Sequence, residues 1–194
     1  MRTVLEIQRA RRRVSGVPDA VRALHAGGAA AHGHALKAIV GLAGVIVVVD
    51  QLTKRVVLDH LPPGRRIELI DGFLAFALVK NPGLAFGLLA DLPTAWRWVA
   101  AALSIVALLV LVRVALRVVP TASWLDVVAI GLIFGGAVGN LIDRARFGAV
   151  VDFIDVYYRD YHWPAFNVAD SGITIGVVLL ALRLVAREPS AQPR

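Results

Sequence analysis

Residues 98–112 read WVAAALSIVALLVLV, an apolar run without a charged side chain in which Ser104 carries the only hydroxyl group. Similar runs recur along the chain of 194 residues, of which 58% are hydrophobic, and the mean hydropathy is +0.70. A soluble domain is only about 45–50% apolar. The composition therefore predicts an integral membrane protein, and the length suits one domain.

Four apolar segments have roughly the 20 residues that a helix needs to cross a bilayer. They cover residues 35–58, 95–118, 123–142 and 167–186. We predict an all-α integral membrane fold, with four transmembrane helices in one domain over residues 35–187. A disordered basic cytoplasmic tail, residues 1–34, precedes this domain in the prediction, and a second cytoplasmic tail, residues 188–194, follows it. The third segment carries small residues that permit close approach of another helix: Gly131, Gly135, Gly136 and Gly139.

The two connections on the outer side of the membrane differ in pattern. Residues 67–70 and 73–79 favour short strands around the turn Asp71-Gly72. This pattern predicts a small extracytoplasmic β-sheet that rests on the membrane surface. The connection between the third and fourth helices is rich in aromatic residues, which are typical of a membrane–water interface. We expect an interfacial loop or short helix there, carrying Tyr157, Tyr158, Tyr161 and Trp163.

The charge pattern indicates orientation and partners. The net charge is +7, and much of the excess lies in the amino-terminal tail and beside the apolar segments. Basic residues favour the cytoplasmic side, so we predict that both termini are cytoplasmic. Anionic lipid headgroups are then the expected partner of this charge, and nucleic acid is not. The chain has no cysteine, which excludes disulfides and thiolate chemistry.

Two aspartates stand out because a charge at membrane depth costs about 2.5–3.5 kcal/mol. Asp152 lies in the apolar run 150–154 with no basic residue within four positions, and Asp170 lies at the start of the fourth helix. Local sequence leaves a second role open for Asp170, since Asn167 can cap the helix and Asp170 then occupies its first turn. Asp155 is closer to the polar aromatic loop, and we expect it to be solvated.

The predicted topology puts Asp152 and Asp170 at the same outer membrane level. If the two carboxylates face each other, they cannot both ionise easily, so one pKa rises and the pair shares a proton. One carboxylate can then deprotonate a water while the other group polarises a scissile carbonyl. The pattern therefore points to hydrolysis by acid–base chemistry.

A second polar set lies on the first and third helices. Asp50 and Lys54 are four residues apart and can pair on one helix face, either as a structural ion pair or as support for the site, with Lys54 extending outward. Asp143 has cationic neighbours in Arg144 and Arg146, which favours structural pairing with them.

Two asparagines have alternative interpretations. Asn81 begins the segment Asn81-Pro82-Gly83-Leu84-Ala85-Phe86-Gly87, which either reverses the chain or holds a substrate. In the second case, Gly83 lets the backbone approach a bound peptide closely. Asn140 either hydrogen-bonds a substrate or bridges two helices.

Taken in order, these segments resemble the lipoprotein signal peptidase family, signal peptidase II. The resemblance rests on Asp50-Gln51-x-x-Lys54, the segment 81–87, Gly135-Gly136-Ala137-Val138-Gly139-Asn140-Leu141-Ile142-Asp143-Arg144, Val151-Asp152-Phe153 and Phe166-Asn167-Val168-Ala169-Asp170-Ser171, and it covers roughly residues 36–187. It implies an aspartic endopeptidase of the bacterial inner membrane, with its active site near the outer face. The implied catalytic pair is Asp152 and Asp170.

The resemblance also implies the substrates and the supporting residues. Its substrates are prolipoproteins, cleaved just before a cysteine that carries diacylglycerol, and it needs no metal or organic cofactor. A globomycin-type cyclic peptide is the implied inhibitor, and we expect a monomer in contact with membrane lipid. Positions that match substrate-binding or supporting residues are Asn81, Gly83, Asn140, Arg144 and Asn167, and those with a more structural role are Asp50, Lys54 and Asp143.

Other classes of protein share parts of this pattern. A small transporter or proton-coupled channel, or a membrane scaffold, also places Asp and Lys residues in its helices, although the chain has no inverted repeat. A serine hydrolase using Ser104 or Ser171 would depend on Lys54 as its base. His32 and His34 could bind a metal ion weakly, but they lie in the predicted tail.

Overall fold

The computed structural model describes residues 17–83 and 96–186. Four α-helices are α1 (Val17–His60), α2 (Trp96–Val118), α3 (Trp124–Phe147) and α4 (Val168–Ala186). Four strands are β1 (Arg66–Ile70), β2 (Leu74–Asn81), β3 (Val150–Tyr158) and β4 (Tyr161–His162). A 3-10 turn, Val119–Thr121, joins α2 to α3. Predictions for residues 1–16, 84–95 and 187–194 lie outside the described residues.

Three helical segments in the described part of the chain are long and apolar enough to cross a membrane: His32–His60, Trp98–Thr121 and Trp124–Phe147. The chain is therefore a multi-pass membrane protein, as its composition predicted. Helix α4 coincides with the fourth predicted segment. That it crosses the bilayer stays a prediction.

Helix α1 begins well before the predicted membrane segment. The prediction of disorder up to residue 34 does not hold for residues 17–34, because α1 runs back without a break to Val17. This stretch is rich in alanine, the residue with the highest helix propensity. Pro18 lies in the first turn, where its missing N–H costs the helix nothing.

Helix α3 is the centre of the bundle and packs against α1 and α4. Its glycines allow this close approach, as the sequence predicted. A Cβ atom on Gly135 would lie 2.7 Å from the carbonyl oxygen of Ala43 in α1, and one on Gly136 would collide with the carbonyl oxygen of Ala169 in α4. These two glycines therefore set the distance from α3 to each of its two neighbouring helices.

The two ends of α3 are defined by local chemistry. Ser123 caps its start in a reciprocal pair with Asp126, and Arg183 of α4 donates to Asp126 at 2.8 and 2.9 Å. Gly148 ends the helix at a φ of 66°, a left-handed conformation that glycine adopts without strain. This turn sends the chain directly into β3.

The strands form one antiparallel sheet in the order β1-β2-β3-β4. The hairpin of β1 and β2 confirms the predicted strands. The prediction of a loop or short helix between α3 and α4 was wrong, since β3 pairs along β2 with Val79 opposite Asp152. Its β-branched residues favour a strand: Val150, Val151, Ile154 and Val156.

The sheet is joined to the end of α1 by an apolar cluster. Phe153 of β3 is buried against Val57 and Leu61, and Phe76 of β2 contacts its ring edge-on. Because β3 is held by this cluster and starts directly after α3, its early residues lie over the ends of the helices. This arrangement brings Asp152 to the mouth of the bundle.

Candidate active site

Both predicted catalytic carboxylates line the same cavity. Asp152 comes from β3 and Asp170 from the first turn of α4, so the cavity lies where the sheet meets the helices. Its volume is about 870 Å³. Its lining combines polar residues with apolar residues of the helices: Asn81, Asn140, Arg144, Asp152 and Asp170, and Leu103, Ala107, Ala137, Ile173 and Ile175.

Asp152 is buried and held by two side-chain amides. Its Oδ1 accepts a hydrogen bond from Asn167 Nδ2 at 2.7 Å, and its Oδ2 accepts one from Asn81 Nδ2 at 3.2 Å. Burial, followed by the negative charge of Asp170, raises the pKa of Asp152 to about 7, against the opposing effect of the two amides. This carboxyl group can therefore carry a proton near neutral pH.

Asp170 takes part in the helix cap and also lines the cavity. Its N–H donates to Asn167 Oδ1 at 2.9 Å, and its Oδ2 accepts the N–H of Asn167 at 3.3 Å, which is a reciprocal helix cap. Its Oδ1 accepts from Asn140 Nδ2 at 2.7 Å and belongs to the cavity lining. The cap therefore aims the carboxylate at the cavity.

Asn167 is the residue that joins the two carboxylates. Its side chain is fully buried, and its Nδ2 lies 2.7 Å from Asp152 Oδ1 and 3.2 Å from Asn140 Oδ1. Its Oδ1 meanwhile caps α4 beside Asp170. One amide thus fixes the position of β3 relative to the start of α4.

A buried cation lies behind the carboxylate pair. Lys54 Nζ is 2.8 Å from Asp50, 2.7 Å from Asp143 and 3.1 Å from Asn140 Oδ1. The predicted pairing of Asp50 with Lys54 is confirmed. Two other expectations were wrong: Lys54 is only 2% exposed and does not extend outward, and Asp143 pairs with it instead of with Arg144 or Arg146. Sequence proximity favoured the arginines, but the helix packing brings Lys54 closer.

The carboxylates around Lys54 also accept backbone hydrogen bonds. Asp50 accepts the N–H of Ala169 in the first turn of α4 at 2.9 Å, and Asp143 accepts the N–H of Val151 at 3.1 Å. Each bond involves the residue next to a catalytic candidate. The buried ion cluster of Asp50, Lys54 and Asp143 therefore positions both segments that carry the site.

Arg144 connects the cavity to the segment after β2. Its Nη2 donates to the carbonyl oxygen of Gly83 at 2.8 Å, and the N–H of Gly83 donates to Asn81 Oδ1 at 2.9 Å. Asn81 is thereby oriented with its Nδ2 toward Asp152. The buried Nε of Arg144 has no hydrogen-bond partner among the described residues, which leaves a donor at the cavity wall.

Asp155 differs from the expectation of a solvated group. It is 7% exposed, and it pairs with Arg66 at 2.8 Å and with His162 at 2.9 Å. Residues that alternate along a strand point to opposite faces, and Asp155 is not among the residues that line the cavity. Asp155 therefore lies outside the cavity, and the prediction that it is solvated was wrong.

The sequence reasoning missed two contributions. Gln51 donates to Asp143 Oδ1 at 2.9 Å and accepts from Arg146 at 3.2 Å, so it extends the buried ion cluster. Residues 163–166 line the cavity, whereas Trp163 was assigned only to the interface. The available signal was Pro164 next to Trp163, because proline fixes the backbone angle φ and so favours an ordered segment.

The alternative nucleophiles and metal ligands have other partners. Ser104 donates to the carbonyl oxygen of Ala100 at 2.8 Å, and Ser171 donates to that of Asn167 at 3.0 Å. Lys54, the base that a serine mechanism would need, is occupied by Asp50 and Asp143. In the described part of the chain, no three His, Asp or Glu side chains are placed to hold a metal ion.

The fold and the site define a multi-pass membrane protein with a carboxylate pair at the mouth of its helices. Residues 42–186 match the family described as signal peptidase (SPase) II. The chain belongs to the signal peptidase II family, as its ordered motifs predicted. That family is one of peptidases.

Individual relatives agree with this assignment. The lipoprotein signal peptidase of Symbiobacterium thermophilum is 47% identical over 148 residues, which cover 76% of this chain and 93% of that protein. The lipoprotein signal peptidase of Syntrophus aciditrophicus is 39% identical over 149 residues, covering 75% and 91%. A solved structure described as a bacterial membrane enzyme is 34% identical, covers 77% of this chain and 94% of that one, and gives a TM-score of 0.63.

Proposed function

We propose that this chain is an intramembrane aspartic endopeptidase that removes signal peptides from prolipoproteins whose cysteine carries diacylglycerol. The observation that carries the proposal is the placement of Asp152 and Asp170 on one cavity, each held by an asparagine amide. The name of the relatives, lipoprotein signal peptidase, supports the substrate class.

The chemistry follows from the different states of the two carboxyl groups. Because burial and the charge of Asp170 raise the pKa of Asp152 to about 7, we assign the shared proton to Asp152 and the role of the carboxylate to Asp170. Asp170 takes a proton from water as the water oxygen attacks the scissile carbonyl carbon, while Asp152 donates its proton to the carbonyl oxygen. The tetrahedral intermediate then collapses: one of its hydroxyl groups returns a proton to Asp152 as the C=O bond re-forms, the C–N bond breaks, and the leaving nitrogen accepts a proton from Asp170. The products are the signal-peptide carboxyl group and a free amine on the cysteine.

Supporting residues orient the substrate in this proposal. Arg144 holds Gly83 and keeps a buried Nε donor at the cavity wall, so it can bind a carbonyl oxygen of the extended peptide. Asn140 and Asn167 fix the carboxylates, and Asn81 supports Asp152 from β2. Positioning of this kind lowers the barrier, since correct orientation can contribute several kcal/mol.

The walls of the cavity suit a substrate that arrives through the bilayer. Leu103, Ala107, Ile173 and Ile175 of α2 and α4 provide an apolar lining. Because the acyl chains of the substrate are already in lipid, they orient the cysteine more than they add net affinity. We place the protein in the bacterial inner membrane as a monomer, with both termini cytoplasmic and the site near the outer face. A globomycin-type cyclic peptide would occupy the same cavity.

The test is to replace each carboxylate separately. Asp152→Asn and Asp170→Asn should each abolish cleavage of a diacylglyceryl-modified prolipoprotein, followed as a change in gel mobility. Asp155→Asn is the matched control, since it makes the same change on the same strand outside the cavity, and it should retain cleavage. Normal processing by Asp152→Asn or Asp170→Asn would refute the aspartic mechanism.

A further inference from the structure

A second, smaller cavity meets the first at Asp152. It has a volume of about 230 Å³ and shares four lining residues with the larger one: Asn81, Asp152, Pro164 and Ala165. Its remaining lining comes from Val79, Lys80 and Pro82 at the end of β2. Asp152 therefore separates two compartments of different size.

The two compartments also differ in chemistry. The lining of the large one includes apolar residues of α2, α3 and α4, whereas every described residue that lines the small one lies on a strand or a connection. Lys80 is exposed there and brings a positive charge. Ligand pockets usually have about 300–1,000 Å³, so the small cavity suits a single side chain better than a lipid.

A peptide cut at Asp152 must continue on both sides of the scissile bond. The apolar signal peptide and the acyl chains of the cysteine match the large cavity, because both belong to the bilayer. The chain that follows the cysteine leaves toward water, and the small cavity lies on the sheet side of Asp152, beside Val79 and Lys80.

We propose that the small cavity between Lys80 and Pro164 is a subsite for the residue that follows the lipid-modified cysteine, and that Lys80 makes it favour an acidic side chain. This inference rests on the proposed function and adds a substrate preference to it. Charges at the rim of a binding site act mainly on the rate of encounter and on selectivity, so the preference should appear in kcat/KM.

The experiment uses three diacylglyceryl-modified prolipoprotein peptides that differ only after the cysteine, with Asp, Asn or Lys at that position. The full-length protein in lipid nanodiscs is assayed at low ionic strength. The unsubstituted protein should have a kcat/KM about 2- to 5-fold higher for the Asp peptide than for the Lys peptide, the range expected of an exposed charge pair. The preference should shrink in 0.5 M salt, where the screening length falls well below about 8 Å.

Two charge variants distinguish a direct effect of Lys80 on the bound side chain from an effect of the protein's overall charge. Lys80→Glu should reverse the order of the Asp and Lys peptides. Arg65→Glu makes the same change in net charge at an exposed residue that does not line the cavity, and it should keep the original order.

The outcomes distinguish this subsite from the proposed function. If all three peptides are cleaved but Lys80→Glu leaves their order unchanged, or Arg65→Glu reverses it equally, the subsite is refuted while the peptidase stands. If the unsubstituted protein cleaves none of the peptides, the proposed function fails and the subsite fails with it.

Discussion

Asn167 Nδ2 lies 2.7 Å from Asp152 Oδ1, and the bond joins the strand that carries one carboxylate to the residue that starts the helix carrying the other. Helix capping and alignment of the site thus depend on different atoms of one side chain, Oδ1 for the cap and Nδ2 for Asp152. The two roles can be separated by substitution.

Asn167→Ser should retain the helix and lose most of the activity. Serine caps a helix about as well as asparagine, but it cannot reach both Asp152 and the first turn of α4. A displacement of about 1 Å at a catalytic group can cost about 10²-fold in rate, and we expect a fall of that order in kcat/KM. Thermal unfolding in detergent should change little. Full activity in this variant would contradict the bridging role.

Lys54→Met should destabilise the protein strongly. It would leave Asp50 and Asp143 buried without their cation, and breaking a buried pair costs about 3–5 kcal/mol. The adjacent Arg55 is a matched control, because its pair with Asp59 is 68% and 43% exposed and should contribute about 0–1 kcal/mol. Thermal unfolding of Lys54→Met and Arg55→Met measures the difference. Equal shifts would argue against a structural role for the buried cluster.

The pH dependence of cleavage should report Asp152. The proposed mechanism needs Asp152 protonated, so kcat/KM should fall as pH rises through about 7, where Asp152 loses its proton. The hydrogen bond from Asn81 favours the charged form and lowers this pKa. Asn81→Leu should therefore move the alkaline limb of the pH profile to higher pH, whatever it does to the maximum rate. An alkaline limb that stays in place or moves lower would be inconsistent with this assignment, and Asp155→Asn should leave it unmoved.

Gly136→Ala should disrupt the contact between α3 and α4. The added Cβ would collide with the carbonyl oxygen of Ala169, a backbone atom that cannot rotate away. Overpacking of this kind typically costs about 1–3 kcal/mol, and activity should fall too, because Ala169 is next to Asp170. Gly44→Ala is the control, since its Cβ would meet nothing within 4 Å. A Gly136→Ala protein with the original melting temperature would show that the helices can separate freely.

The sequence predicted those parts of the site that depend on local spacing. Asp50 and Lys54 pair because four residues form about one helical turn, and Asn167 caps Asp170's helix because a cap acts within one turn. Asp152 and Asp170 could be singled out because their neighbours in the sequence are apolar, and a charge among apolar residues is costly in free energy. These are relationships within a few residues of the chain.

The failures involve contacts between distant segments. Asp143 pairs with Lys54 because α1 and α3 pack closely, and Asp155 is buried because Arg66 reaches it from β1. Strand β3 was missed because Asp152 and Asp155 interrupt its apolar pattern, and because its pairing partner β2 is separated from it in the sequence by α2 and α3. Patterns along the chain do not show which distant segments lie side by side. The packing of the fold determines those contacts.

The position of Asp170 in the last helix has a consequence for biosynthesis. Ribosomes make the chain from the amino terminus, so Asn167 and Asp170 emerge after every other residue of the proposed site. A nascent chain that already holds α1, α2, α3 and the sheet still lacks one carboxylate and the amide that aligns the other. If the proposed pair is catalytic, the site is complete only once the final helix has been made, and an unfinished chain would be unable to cut the membrane proteins made beside it.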